Sequence, residues 1–491
     1  MNQNSTPLLD AISSFIDTNP AYFRIPGHRL DRGISARWTN RVGTEIFAYD
    51  VTETPYTDDL HSPEGAILEA ETLLAALYGA DRSFFLVNGT TCGNEAMILS
   101  AASEGEELLI ARNAHKSAMM GLVLSGARPV HVMPEVLEEW GIQGGITPEA
   151  VRRAFTEHPN AKALFLVSPD YYGVASDLAR IAEICHAHNA LLLVDEAHGG
   201  HMYFHERLPM GALAAGADMC VQSMHKVTGA LTQSSVLHIK SHGIREACLA
   251  RVAENLQLVQ STSPNYLLMT SLDCARYELA MNGAQMMERA LLLADGARSA
   301  LREIPGLRCM GEEVTQVSGI AGVDGTRLVI SAKELGMTGY ALEKQLLETD
   351  SVNVELADYE NVLAIVTYAN TEEDMSRLTA ACRRICQVRS WEDSRKDRLG
   401  YTPMRLPALP EQCMTPREAY FSETCDIAWR DAAGRISAQM IAPYPPGIPV
   451  VWPGERITGE VRDYLEAFRR DKRHIHGLSG AASATIRLIK E

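Results

Sequence analysis

Long apolar runs are missing from this chain: no stretch reaches the roughly 18 uninterrupted apolar residues that read as a membrane-spanning helix. The N-terminal stretch MNQNSTPLLDAISSFIDTNP has no basic patch followed by an apolar core, so no secretory signal is visible. A cytoplasmic protein without a membrane partner is expected. Basic residues are in deficit, 45 Lys and Arg against 62 Asp and Glu, and the net charge of −17 repels phosphate backbones. Nucleic acid is therefore not an expected partner. The ten cysteines form no Cys-x-x-Cys pair and no small-domain disulfide spacing, and are read as reduced, mostly buried thiols. Lysine is also scarce, at nine residues in 491, which narrows the search for a reactive amine to a few positions.

What is present is a large apolar fraction, 46%, in a chain long enough for two to four domain-sized units. Short apolar segments at 83–87, 107–110, 129–133, 163–167, 191–194 and 219–222 read as strands. They alternate with amphipathic stretches at 64–77, 91–102 and 177–188 that read as helices. This alternation predicts an α/β fold with a mainly parallel sheet covered on both faces, whose ligands collect at the carboxyl ends of the strands. Beyond about 290, a long helix is followed by strands at 327–331 and 362–367 and a helix at 339–348, the order of a smaller α+β domain. The expected organisation is an N-terminal arm at 1–63, a large α/β domain at 64–290, a small α+β domain at 291–400 and a C-terminal extension at 401–491. The polar stretch 390–401 and the proline-rich stretch 403–410 are candidate linkers.

Three predicted strand ends carry unusual chemistry. Asn88-Gly-Thr-Thr91 precedes a helix and offers backbone N–H groups and hydroxyls, which suits a phosphate and equally suits a plain helix cap. Asp195 ends the run Leu191-Leu-Leu-Val194, where a carboxylate is partly desolvated and needs a cationic or N–H partner, or caps a helix. Lys226, in Ser223-Met-His-Lys226, follows one βα passage later; a desolvated lysine there suits Schiff-base chemistry. Lys116, Lys162 and Lys240 compete within the sheet region, with Lys116 next in line. A phosphate turn, an aspartate and a lysine, in that order on adjacent strand ends, match the needs of pyridoxal 5'-phosphate.

The runs Pro26-Gly-His28, Asp58-Asp-Leu-His61, Asn88-Gly-Thr-Thr91, Arg112-Asn-Ala-His-Lys-Ser117, Asp195-Glu-Ala-His-Gly199, Ser223-Met-His-Lys226, Ser261-Thr-Ser-Pro264, Pro443-Tyr-Pro-Pro-Gly-Ile-Pro449 and Pro453-Gly-Glu455 resemble the Orn/Lys/Arg decarboxylase family. The likeness extends from about Phe23 to Ile457 and is greatest to compact bacterial members without an N-terminal wing domain. It implies the fold-type-I pyridoxal-phosphate architecture. By position it implies that Lys226 carries the cofactor as a Schiff base, Asp195 faces the pyridine nitrogen and His115 stacks on the ring. Thr90, Thr91, Ser223 and His225 would hold the phosphate, His198 would pack against the cofactor, and Ser263 would reach the phosphate of a neighbouring subunit. Thr91 stands where the family often has Ser and Met224 where it often has Thr; neither change removes a needed hydroxyl or backbone group.

The spacing of His198, His201 and His205 could hold zinc on a helix, but Gly199 and Gly200 disfavour one and no metal is expected. Asp59, Glu355 and Glu455 are candidates to meet a cationic substrate side chain, although carboxylates are usually solvated surface. The resemblance implies decarboxylation of a basic amino acid, with L-arginine to agmatine and CO2 first, lysine or ornithine next, and a place in polyamine biosynthesis. Transamination or aldol cleavage is the alternative within the same cofactor chemistry. His225 joins Lys226, His115 and Asp195 as a catalytic candidate, with His225 or Lys226 returning a proton to Cα. A homodimer or higher homo-oligomer with sites at the interface is expected.

Overall fold

The computed structural model describes residues 1–388, 407–443, 449–470, 475–479 and 485–490. The candidate linker 390–401, the first part of the 403–410 stretch and the centre of the 443–449 run lie outside them. In chain order the large domain contains α1 (Ala66–Tyr78), β1 (Arg82–Leu86), α2 (Gly89–Ala101), β2 (Glu107–Ala111), α3 (Lys116–Ser125), β3 (Arg128–Val132), β4 (Ala163–Val167), β5 (Leu191–Asp195), β6 (Met219–Gln222) and β7 (Ser235–Ile239). Its seven strands lie in the order β1-β7-β6-β5-β4-β2-β3. The run from β6 to β3 is parallel, whereas β7 pairs antiparallel with both β1 and β6.

Successive residues of these strands face opposite sides, and both sides are dry. Leu164, Leu166, Leu192 and Val194 enter one core, while Ala163, Phe165, Leu191 and Leu193 enter the other. Each fully buried large apolar side chain contributes about 1.5–3 kcal/mol, which explains why these segments are continuously apolar rather than alternating. Helix α2 lies close on β6 because Gly93 has no side chain; a Cβ there would meet Val221 Cγ1 at 2.5 Å. That close approach brings the first turn of α2 to the carboxyl edge of the sheet.

Helix α4 (Tyr266–Arg302) runs from the large core into a second one, so the expected boundary at 290 falls within a helix. The second core backs a four-stranded antiparallel sheet, β8 (Arg308–Cys309), β9 (Arg327–Ser331), β10 (Leu356–Ala357) and β11 (Asn361–Ile365), in the order β8-β9-β11-β10. In the C-terminal extension, β12 (Thr424–Ala428) pairs with β13 (Thr485–Ile489), and Trp429, Val451, Leu465 and Ile486 share a core of their own. Trp452 is not part of that core and is buried in the large core that also holds Leu108, Ile110 and Ala114. Among the described residues, no helix is long and apolar enough to cross a membrane. All ten cysteines are free thiols, five of them buried.

Candidate active site

The carboxyl ends of β2, β4, β5 and β6 open onto a cavity of about 690 Å³, its open mouth included, lined among others by Thr90, His115, Asp170, Tyr171, Asp195, His198 and Lys226. Lys226 sits in the short helix Met224–Val227 that follows β6. Its Nζ is 2.9 Å from His198 Nε2 and 5.2 Å from the centre of the Tyr171 ring. Burial pushes the Lys226 pKa below its ordinary value, with Asp195 opposing the shift and Arg327 adding to it. No carboxylate forms a salt bridge with it among the described residues. Lys116 is exposed at the start of α3, and Lys162 is paired with Glu106 at 3.5 Å.

Asp195 is the last residue of β5 and is 3% exposed. Its carboxylate accepts from Asn94 Nδ2 at 2.8 Å and from the Ala197 N–H at 3.2 Å. Asn94 also donates to the Ser117 hydroxyl, which is 2.9 Å from His115 Nδ1, so one buried amide links the aspartate to the histidine. His115 caps α3 by accepting from the Ser117 N–H. Burial depresses the pKa of both His115 and His198; Asp195 opposes the shift at His115, and the charges of Lys226 and Arg327 deepen it at His198. Both rings are neutral near pH 7. The His198 ring also rests on Tyr171, with centroids 4.2 Å apart.

At the other side, Thr90 in the first turn of α2 places its hydroxyl 3.2 Å from that of Ser223. Gly89 adopts φ +68°, a left-handed conformation that favours glycine, and Thr91 follows in the same turn. His225 is half-buried with Nδ1 3.0 Å from the Ser234 carbonyl oxygen, and burial lowers its pKa. Thr91, Ser223 and His225 flank the cavity but are not among its lining residues.

This donor set fits pyridoxal phosphate: a desolvated amine, a buried carboxylate for a ring nitrogen, a neutral imidazole, and hydroxyls with N–H groups at a helix N-terminus. Two cavity-lining residues, Asn113 and His198, also keep a buried polar atom, Oδ1 and Nδ1 respectively, without a partner among the described residues.

The remaining candidates lie apart. Glu355 is exposed just before β10, within electrostatic reach of Lys226 and His225. Asp59 and Ser263 are exposed on two adjoining segments, joined where His61 Nε2 meets the Ser261 carbonyl oxygen at 2.8 Å. Glu455 is fully buried in an ion pair with Arg112 and is absent from the cavity lining. The three spaced histidines point to separate partners: His198 to Lys226, His201 to Asp324 at 3.0 Å and His205 to Glu288 at 2.7 Å.

Sequence reasoning assigned no role to Asn94, Tyr171 or Arg327. Asn94 left a weak signal, an amide inside a predicted helix, where asparagine is a poor helix former. Arg327 left none: it starts β9 of the small domain, yet its Nη2 donates to the His198 carbonyl oxygen at 3.1 Å. Its Nε lies 3.2 Å from Asp324. Burial alone would raise the Asp324 carboxyl, but His201 and Arg327 together hold it below the ordinary range.

Residues 6–374 match the family description "Orn/Lys/Arg decarboxylase, major domain", and residues 402–482 match "Orn/Lys/Arg decarboxylase, C-terminal domain". The chain is 40% identical over 491 residues to an arginine decarboxylase of Bacillus subtilis, covering 100% of this chain and 99% of the relative. It is 39% identical over 489 residues to an arginine decarboxylase of Halalkalibacterium halodurans, covering 100% and 98%. The lysine decarboxylase LdcF of Francisella novicida has the same fold, with a TM-score of 0.85 at 22% identity, covering 99% of this chain and 81% of that one. The chain belongs to the Orn/Lys/Arg decarboxylase family.

Proposed function

We propose that this family member is a cytoplasmic pyridoxal-phosphate-dependent decarboxylase that converts L-arginine to agmatine and CO2, a step toward polyamines. The observation that carries the reading is the buried, carboxylate-free Lys226 amine held against neutral His198 in a cavity that also presents Asp195. Arginine as substrate is supported by the full-length relatives that bear the name arginine decarboxylase.

In this reading Lys226 holds the cofactor covalently, Asp195 pairs with its ring nitrogen and His115 packs on the ring face. The first turn of α2, with Thr90 and Thr91, joins Ser223 and His225 at the phosphate. Pyridoxal phosphate, when bound, supplies an electron sink for the pair released from Cα as CO2 departs. Asp195 is prepared for a cationic partner because Asn94 and the Ala197 N–H fix its carboxylate in place. Lys226 delivers the proton that Cα takes up, and His198, 2.9 Å away and neutral, receives and returns protons at Nζ. Tyr171 packs its ring against both members of this pair. Glu355, whose charge is felt at Lys226 alongside the stronger influence of Asp195, meets the guanidinium.

The functional unit in this reading is at least a homodimer. Support comes from the N-terminal arm, where Phe23 is 88% exposed and Tyr56 68% exposed, with Ile25 and Trp38 also exposed. Asp59 and Ser263 lie on the adjoining segments that would reach a neighbouring subunit's site. The test is agmatine formation by the purified protein stripped of cofactor. Formation that returns only on adding pyridoxal phosphate supports the reading, and formation without it overturns it.

A further inference from the structure

Arg112 is the first residue after β2 and lies three residues before His115, on the loop that enters the cavity. Arg112 is 4% exposed and is not among the residues that line the cavity. Instead Nη1 and Nη2 donate to the two carboxylate oxygens of Glu455, at 2.5 and 2.9 Å, across 343 residues of sequence. Nη2 also donates to the Val450 carbonyl oxygen at 2.8 Å. Glu455 is 0% exposed. The His131 Nε2 lies 3.5 Å from the same carboxylate, and the His131 ring meets Trp452 edge-on at 4.9 Å.

The turn that presents Glu455 is rigidly built. Glu455 Oε2 accepts from the Trp452 N–H at 2.8 Å, and the Glu455 N–H donates to the Trp452 carbonyl oxygen at 3.2 Å. Gly454 between them has φ +88°, and a Cβ there would meet the Met414 carbonyl oxygen at 2.2 Å, so only glycine closes the turn. Trp452 anchors the turn in the same buried core that holds Ala114, the residue before His115. A buried bidentate carboxylate–guanidinium pair fixes geometry strongly, and removing one member leaves an unpaired buried charge that must move toward water. Here that movement would carry the loop of Arg112, Asn113, Ala114 and His115 with it.

We propose that Glu455 is a positioning residue: through Arg112 it fixes the loop that sets His115 against the cofactor, so the C-terminal extension completes a site whose described lining it does not enter. The inference rests on the pyridoxal-phosphate reading above. It gives the extension a function in cofactor retention beyond packing, and makes Arg112 and Glu455 one unit divided between two parts of the chain.

The test is a double-mutant cycle on cofactor affinity, measured by titrating stripped full-length protein with pyridoxal phosphate well below its melting temperature. Glu455→Gln keeps shape and removes charge; it is expected to weaken cofactor binding by roughly tenfold or more. In a His115→Ala background the same substitution is expected to change affinity by less than about twofold, because its route to the cofactor is already cut. Glu455→Asp, which keeps the charge, restores part of the affinity. Undiminished affinity in Glu455→Gln, or an equal loss with and without His115, overturns the proposal. If Glu455→Gln does not accumulate as folded protein, Arg112→Lys, which loses the bidentate contact, is put through the same cycle with the same two outcomes. Failure of the wild-type protein to bind pyridoxal phosphate at all would instead overturn the function on which the proposal rests.

Discussion

Lys226 Nζ and His198 Nε2 are 2.9 Å apart, joining the turn after β6 to the turn after β5 inside one buried cavity. A lysine in water is a hydrated ammonium and a poor nucleophile. Here burial lowers its pKa, and its hydrogen-bond partner is a neutral imidazole rather than a carboxylate that would stabilise the charge. The arrangement favours the neutral amine that covalent cofactor attachment requires.

Replacing Lys226 with alanine should leave a folded chain that no longer develops the visible absorbance of covalently held pyridoxal phosphate. Absorbance spectra before and after cofactor addition, with circular dichroism as the folding control, provide the check. A borohydride-reducible adduct persisting in Lys226→Ala would move the assignment to another lysine, Lys116 first.

Glu71 on α1 is buried, and its carboxylate accepts from the Phe85 N–H at 2.8 Å. Burial pushes its pKa up to about 8, against 4.5 for an ordinary glutamate, with the Phe85 N–H opposing the shift. The folded state therefore binds this proton more tightly than the unfolded state, so stability falls as pH rises from about 4.5 to about 8 and is level above that. Glu71→Gln keeps an acceptor for Phe85 and has no proton to lose. It should stabilise the protein by about 1–4 kcal/mol at pH 9 and by less than about 1 kcal/mol near pH 5. Denaturant melts at the two pH values check this; equal effects at both would show that Glu71 does not titrate in the window.

Mixing two inactive variants tests shared sites. Lys226→Ala combined with Ser263→Ala or Asp59→Ala should recover up to about a quarter of wild-type activity in an equal mixture, because about half of the dimers are then hybrids and one of the two interfacial sites in each draws both intact residues. Hybrids shown to form by mass, yet inactive, would place each site wholly within one subunit.

Much of the scaffold was legible because parallel strands buried on both faces are continuous apolar runs. Strands at 163–167, 219–222 and 327–331 begin and end where the sequence pattern places them. Strand β7 was not legible. Ser235 and His238 interrupt its apolar run, yet both are fully buried, and His238 is satisfied by the Ser83 hydroxyl at 2.6 Å and Gln222 at 3.3 Å. A polar residue whose partner comes from another strand reads as a surface residue until the pairing is seen. The same reason hid the partner of Glu455. A carboxylate in a proline-rich tail reads as solvated or as part of a site mouth, and no spacing rule links it to an arginine 343 positions earlier. Asp195 and Lys226 were legible because the first ends a visible strand and the second closely follows one, whereas Arg327 reaches the His198 loop from the four-stranded sheet.

Decarboxylation of arginine is distinguished from the other reactions by CO2 release measured side by side with arginine, lysine, ornithine and a neutral amino acid. The expected kcat/KM is at least about tenfold higher for arginine than for lysine or ornithine, a difference of about 1.4 kcal/mol in transition-state stabilisation, with no release from the neutral amino acid. Arginine turned over no better than lysine would contradict the substrate assignment. No CO2 from any cationic amino acid, with turnover restored by a keto acid, would replace decarboxylation with transamination.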